Sequence, residues 1–155
     1  MKPGTSCVFA TCLCVAAFAS AQSNNLSVAQ QILPLLHEQE VAANAHDTDR
    51  FLATYLHDPS LVFILDGEIV QGFDALHRDQ LAWWKSGKSD VVYTEQAQPN
   101  IVVLDVLTAL VTQQLGSRRT MPDGTAHADR FVITSIWRRL PTGWRVTYCH
   151  ESHTP

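Results

Sequence analysis

The side chains of this chain best suited to chemistry fall together near its C-terminus, in His150-Glu151-Ser152-His153. Histidine and glutamate are common zinc ligands, and an imidazole changes charge near neutral pH, so metal binding and proton transfer are the two chemistries to weigh. Neighbours on a strand point to opposite faces, so His150 and Glu151 cannot readily share one ion, and His153 lies opposite His150. The expectation is therefore no metal site, with His150 and Glu151 as the candidate catalytic groups. Unbroken alternation groups His150 with Trp144, Val146 and Tyr148 on an apolar face, where orienting the sheet or a dimer contact is its expected role. The same alternation sets Glu151 with Thr147 and Cys149 on the other face. Which face looks inward is left open.

The remaining reactive types read as structural. His127 with Asp129, and His46 with Asp47 and Asp49, sit where turns or helix caps are expected, and Asp66 opens an Asp-Gly turn. No nucleophile motif or phosphate loop occurs, so no cofactor is expected.

Lys2, an apolar run over 7–19 and Ala19-Ser20-Ala21 have the form of a cleaved signal peptide over residues 1–21. The run falls short of the ~20 apolar residues needed to cross a bilayer. Residues 22–155 then form a single domain, secreted or periplasmic, with no membrane association after cleavage. Cys7, Cys12 and Cys14 leave with the leader, so Cys149 is a lone thiol. It is expected to be buried rather than reactive. The net charge of −4 at pH 7 comes without runs of like charge, which argues against nucleic acid as a partner.

Apolar spacing predicts a helix over 27–45 with Ser27 as N-cap, and Pro34 either kinks it or marks its start near Leu33. A second short helix opens at Asp47 or Thr48 and carries Phe51, Leu52 and Tyr55 on one face. Residues 61–65 and 68–70 form a hairpin about Asp66-Gly67. A third helix covers 73–85, with Phe73, Leu76, His77, Gln80, Leu81 and Trp84 on one side. Extended segments follow at 91–104, broken at Pro99-Asn100, then at 107–119, 126–139 and 144–152. The order predicts an α+β fold, a curved antiparallel sheet with three helices from the N-terminal half on its concave side.

Two stretches carry a resemblance. Phe51-Leu-Ala-Thr-Tyr55-Leu-His-Asp58, the Leu61-Val-Phe-Ile strand and Gly72-Phe-Asp-Ala-Leu form one. The other is Ile136-Trp137-Arg-Arg-Leu-Pro-Thr-Gly143-Trp144-Arg-Val-Thr-Tyr-Cys-His150-Glu-Ser152. In this order the chain resembles the nuclear-transport-factor-2-like superfamily and its SnoaL-like domains. The closing hairpin is also similar to the association domain of calcium/calmodulin-dependent kinase II. The resemblance implies a cone-shaped pocket, and it places a His at position 150. Members of the superfamily isomerise, dehydrate, cyclise or simply assemble, so fold alone does not choose among these.

Alignment with ketosteroid isomerases puts Phe63 where the carboxylate base would stand and Gln39 near the tyrosine position, which disfavours that reaction unless Asp66 reaches in. Against the kinase association domain, Trp84 matches a pocket Trp, while Thr112, Ser135 and Glu151 stand at its arginine positions. A neutral or hydrogen-bonding ligand is therefore expected, held by Tyr55, Phe63, Trp84, Tyr93, Thr112 and Ser135. The activity implied is isomerase, dehydratase or cyclase chemistry on a neutral organic molecule. The alternative is a non-catalytic association module, with a homodimer on the convex sheet face.

Overall fold

The computed structural model describes residues 16–154, with side chains from Val28 onward. The start of the expected leader and its three cysteines lie outside the described residues. Helix α1 (Ala16–Asn44) is already running well before Ser27, so Ser27 is a helix-interior residue rather than an N-cap. Pro34 also lies inside α1. From Val28 the helix turns Ile32, Leu36, Gln39 and Ala43 inward, three or four residues apart, as one apolar stripe requires. Helix α2 (Thr48–Leu52) is capped by Asp47, whose side chain accepts the Arg50 N–H at 3.1 Å.

Strands β1 (Val62–Leu65) and β2 (Glu68–Gln71) form the expected hairpin. Its turn residues Asp66 and Gly67 both have positive φ, 49° and 92°, the geometry that matches strand twist and that Asp-Gly supplies at low cost. Helix α3 (Phe73–Trp83) follows, entered through Gly72 at φ 88°. The segment expected as one broken strand is two, β3 (Val92–Glu95) and β4 (Asn100–Asp105). Both pair with β5 (Thr108–Thr120), β3 along its second half and β4 along its first. β6 (Ala126–Leu140) and β7 (Gly143–His153) complete one curved, unclosed sheet in the order β2-β1-β7-β6-β5-β3.

One pairing departs from the expected antiparallel sheet. β1 runs parallel to β7, with Val62 opposite Tyr148 and Leu65 opposite Glu151. Parallel neighbours need a long connection, and the whole of α3 and β3–β6 lies between these two. A second departure has larger consequences. Between Val146, opposite Trp137, and Tyr148, opposite Ile136, Thr147 is an extra residue, a β-bulge. Alternation therefore changes phase within β7: Trp144 and Val146 are buried before the bulge, and Cys149 is buried after it.

The helices pack on one face of this sheet. Ile32, Leu52, Leu61, Leu76, Val111 and Trp137 form the centre of the main core. The Trp137 indole N–H donates to Ser135 Oγ at 3.0 Å, so this buried polar group is satisfied. A smaller cluster of Ala43, Trp84 and Val91 closes the other end of the helical layer, with Phe51 and Tyr93 against it.

Candidate functional site

The helices do not fill the concave face. Between α1, α3 and the inward rows of β5, β6 and β7 lies a cavity of about 700 Å³, a volume suited to a small molecule. Tyr55, Phe63, Trp84, Tyr93 and Ser135 all line it. Thr112 does not: it sits on β5 between buried Val111 and cavity-lining Gln113, so alternation turns it to the outer face. His150 is likewise exposed on the outer face, opposite Thr134 and Ile64. The bulge at Thr147 is the reason. It breaks the expected grouping of His150 with Trp144 and Val146, and it brings Cys149, Glu151 and His153 into the cavity wall.

Glu151 is the cavity carboxylate carried by the inward row of β7. Its side chain is 19% exposed. Burial pushes its pKa up to about 7, the negative charge of Asp66 pushes the same way, and His153 opposes both. His153 is held from behind. Asp66 accepts its backbone N–H at 3.0 Å and its Nδ1 at 2.8 Å, and this backbone donor is the main reason the Asp66 carboxyl lies below its ordinary range. An ionised carboxylate only accepts, so the proton of this hydrogen bond sits on Nδ1, which leaves Nε2 turned toward the cavity. That Nε2 lies 3.9 Å from Glu151 Oε1. The expected turn residue Asp66 thus has a second task, orienting an imidazole at the lip of the cavity.

Asp66→Asn checks this assignment. Asn keeps the turn and the acceptor for the backbone N–H, but its amide donates where Oδ2 accepted. The expected result is an intact fold in which ¹⁵N chemical shifts report His153 moving from the Nδ1–H to the Nε2–H tautomer. An unchanged tautomer removes the orienting role.

Tyr55 and Cys149 lie beside one another in the inner wall. Burial raises the Tyr55 hydroxyl well above its ordinary value and also raises the Cys149 thiol, so both stay protonated. Cys149 is buried and free, as a packing thiol rather than a nucleophile. The Trp84 indole donates to the Tyr93 hydroxyl at 3.0 Å, and Gln39 Nε2 donates to Thr54 Oγ1 at 2.6 Å. Among the described residues no group of three or more His, Cys, Asp or Glu is placed to hold a metal ion.

Sequence reasoning left open whether His150 or Glu151 turns inward, because nothing in Thr147 signals a bulge, and it missed the Asp66–His153 pair. It also passed over Gln80 and Gln113. A signal for Gln80 was present, since it shares a helix face with Leu76 and Trp84.

The geometry agrees with solved structures. An NTF2-like superfamily protein from Salmonella enterica serovar Typhimurium superposes with a TM-score of 0.72 over 87% of this chain and 94% of its own, at 17% identity. The chain has the NTF2-like fold. Two further solved structures share this architecture. A ketosteroid isomerase-like protein from Erwinia carotovora matches at a TM-score of 0.65, with 20% identity over 81% of this chain and 96% of that one. The association domain of C. elegans CaMKII matches at 0.68, with 18% identity over 84% and 98%. No family model matches the sequence, and no curated protein sequence does. Within this NTF2-like frame the neighbours share architecture, and the chemistry of this cavity rests on its own side chains.

Proposed function

We propose that this is an exported protein, cleaved after Ala21, whose cavity binds a neutral organic molecule and moves a proton on it, with Glu151 as the general acid–base group. The observation that carries the reading is a carboxyl group in the wall of a largely apolar cavity, with no Lys or Arg ion-paired to it among the described residues. A base with its pKa near the working pH combines a useful ionised fraction with a useful driving force. Glu151 stands on β7 directly beside β1; if Phe63 of β1 corresponds to the steroid-isomerase base, as the resemblance implies, the acceptor here comes from the neighbouring strand.

In this mechanism the Glu151 carboxylate takes a proton from carbon next to a carbonyl. The C–H electron pair moves into the enolate, whose oxygen receives a hydrogen bond from the Tyr55 hydroxyl. Glu151 returns the proton to a different carbon or passes it to His153 Nε2 at the lip. Dehydration follows the same first step when a β-hydroxyl leaves. The test is proton–deuterium exchange at C1 of 2-tetralone in D₂O, followed by NMR. Wild-type protein should accelerate it above buffer; exchange at the buffer rate counts against the reading.

A second reading concerns the outer face. Val102, Leu110, Ile136, Tyr148 and Val62 lie side by side across five strands, an apolar row that the helices do not cover. Apolar rows of this kind suit a two-fold, self-complementary contact, so we propose that two copies pair here, with exposed His150 in the adjacent row. The wild-type protein is then a dimer by light scattering, and Ile136→Arg a monomer. A monomeric wild type ends this reading.

A further inference from the structure

We propose that Gln80 is the specificity-determining group of the cavity, and that the ligand is a neutral aromatic molecule with a carboxamide-like edge, a donor beside an acceptor. The inference rests on the reading of the cavity as a small-molecule site and deepens it.

Gln80 follows Leu76 by one turn on the buried face of α3, is only 6% exposed, and lines the cavity. The other buried glutamine of the wall, Gln39, donates to Thr54. The side-chain amide of Gln80 makes no hydrogen bond to any described residue, yet its polar atoms are not among those sealed from the interior space, a condition met among the described residues by Thr48 Oγ1. An amide nine-tenths buried, unpartnered and open to a cavity disfavours the empty state until something there satisfies it. A carboxamide presents one N–H donor next to one carbonyl acceptor, and its natural complement is another amide edge.

The walls indicate what that edge is attached to. Phe63, Trp83, Trp84, Tyr93 and Phe131 surround the space with aromatic faces. Charge narrows the class further: the carboxylates of Glu40, Asp90, Glu95, Asp129 and Glu151 line the cavity, against Lys85 and Arg119. Even with the imidazoles of His37 and His153 in the wall, acidic groups outnumber cationic ones, which disfavours an anion and favours an amide over the corresponding carboxylic acid.

The test uses ¹⁵N-labelled protein and three probes of one shape: 2-naphthamide, 2-naphthoate and naphthalene. 2-Naphthamide should shift the Gln80 side-chain NH₂ signals and bind about tenfold more tightly to wild type than to Gln80→Leu. Naphthalene should not distinguish the two proteins, and 2-naphthoate should bind more weakly than the amide. Gln80→Glu keeps the shape and should also weaken the amide, which preserves the test if Gln80→Leu does not fold. Equal amide affinity in a folded Gln80 variant, a preference for 2-naphthoate, or no binding of any probe overturns the proposal. These affinities are read without turnover, so a failure of the proton-transfer mechanism leaves the measurement intact, and loss of the amide preference with naphthalene still bound refutes the role of Gln80 while sparing the cavity as a small-molecule site.

Discussion

Glu151→Gln should slow 2-tetralone exchange by about 10²- to 10⁴-fold, the usual contribution of a positioned general base. The amide has the shape of the acid and cannot accept the proton. In wild type the active form is the carboxylate, so the rate should rise with pH and level off above about 7, where burial places the Glu151 pKa. The same substitution should affect stability in the opposite sense. Glu151 has an ordinary pKa of 4.5 and a folded value of about 7. Between these values the folded state holds a proton that the unfolded chain has released, so stability falls as pH rises through the window. The loss is about 3 kcal/mol once Glu151 is ionised in both states. Glu151→Gln should therefore be more stable than wild type at pH 8 and close to it at pH 4. A variant equally active, or one showing no gain in urea midpoint at pH 8, contradicts the placement of this carboxyl.

Trp137→Ala should cost about 3–5 kcal/mol, a large part of the stability of a domain this size. Trp137 is fully buried at the centre of the core, and its loss leaves both a cavity and a Ser135 hydroxyl without its indole donor. Urea unfolding should show a sharply lowered midpoint with little change in slope. Trp137→Phe should cost less, since the ring volume is largely kept. A loss below 1 kcal/mol for the alanine variant would mean that the sheet–helix interface closes without this ring.

The elements were legible because their signals are local. Asp66-Gly67 specifies its hairpin, Asp47 caps α2, and the run of extended segments separated by Gly turns gives the sheet. The aromatic wall was legible through the resemblance and through local position: Phe63 and Tyr93 sit on β1 and β3, Trp84 caps α3, and Tyr55 follows α2 in an isolated bridge to Val146. The chemistry was not. Whether Glu151 or His150 faces the cavity depends on one bulged residue, and a bulge at Thr147 follows from how β6 and β7 fit together, not from the residue itself. Thr112 failed for the mirror reason, because its assignment came from an alignment that fixes position along a strand but not parity. The parallel β1–β7 pairing is a long-range choice that no local pattern encodes.

The contact between Asp66 and His153 joins a hairpin tip to the last residue of β7. It thereby acts as a register pin. With the extra residue at Thr147 the stretch beyond Val146 presents Glu151 to the chamber and sets His153 against Asp66, whereas unbroken alternation would have turned His150 inward. A clasp at the rim therefore ties the strand end that carries Glu151 to a turn outside the chamber, so the placing of the acid–base pair at the mouth depends in part on a residue that does not line it.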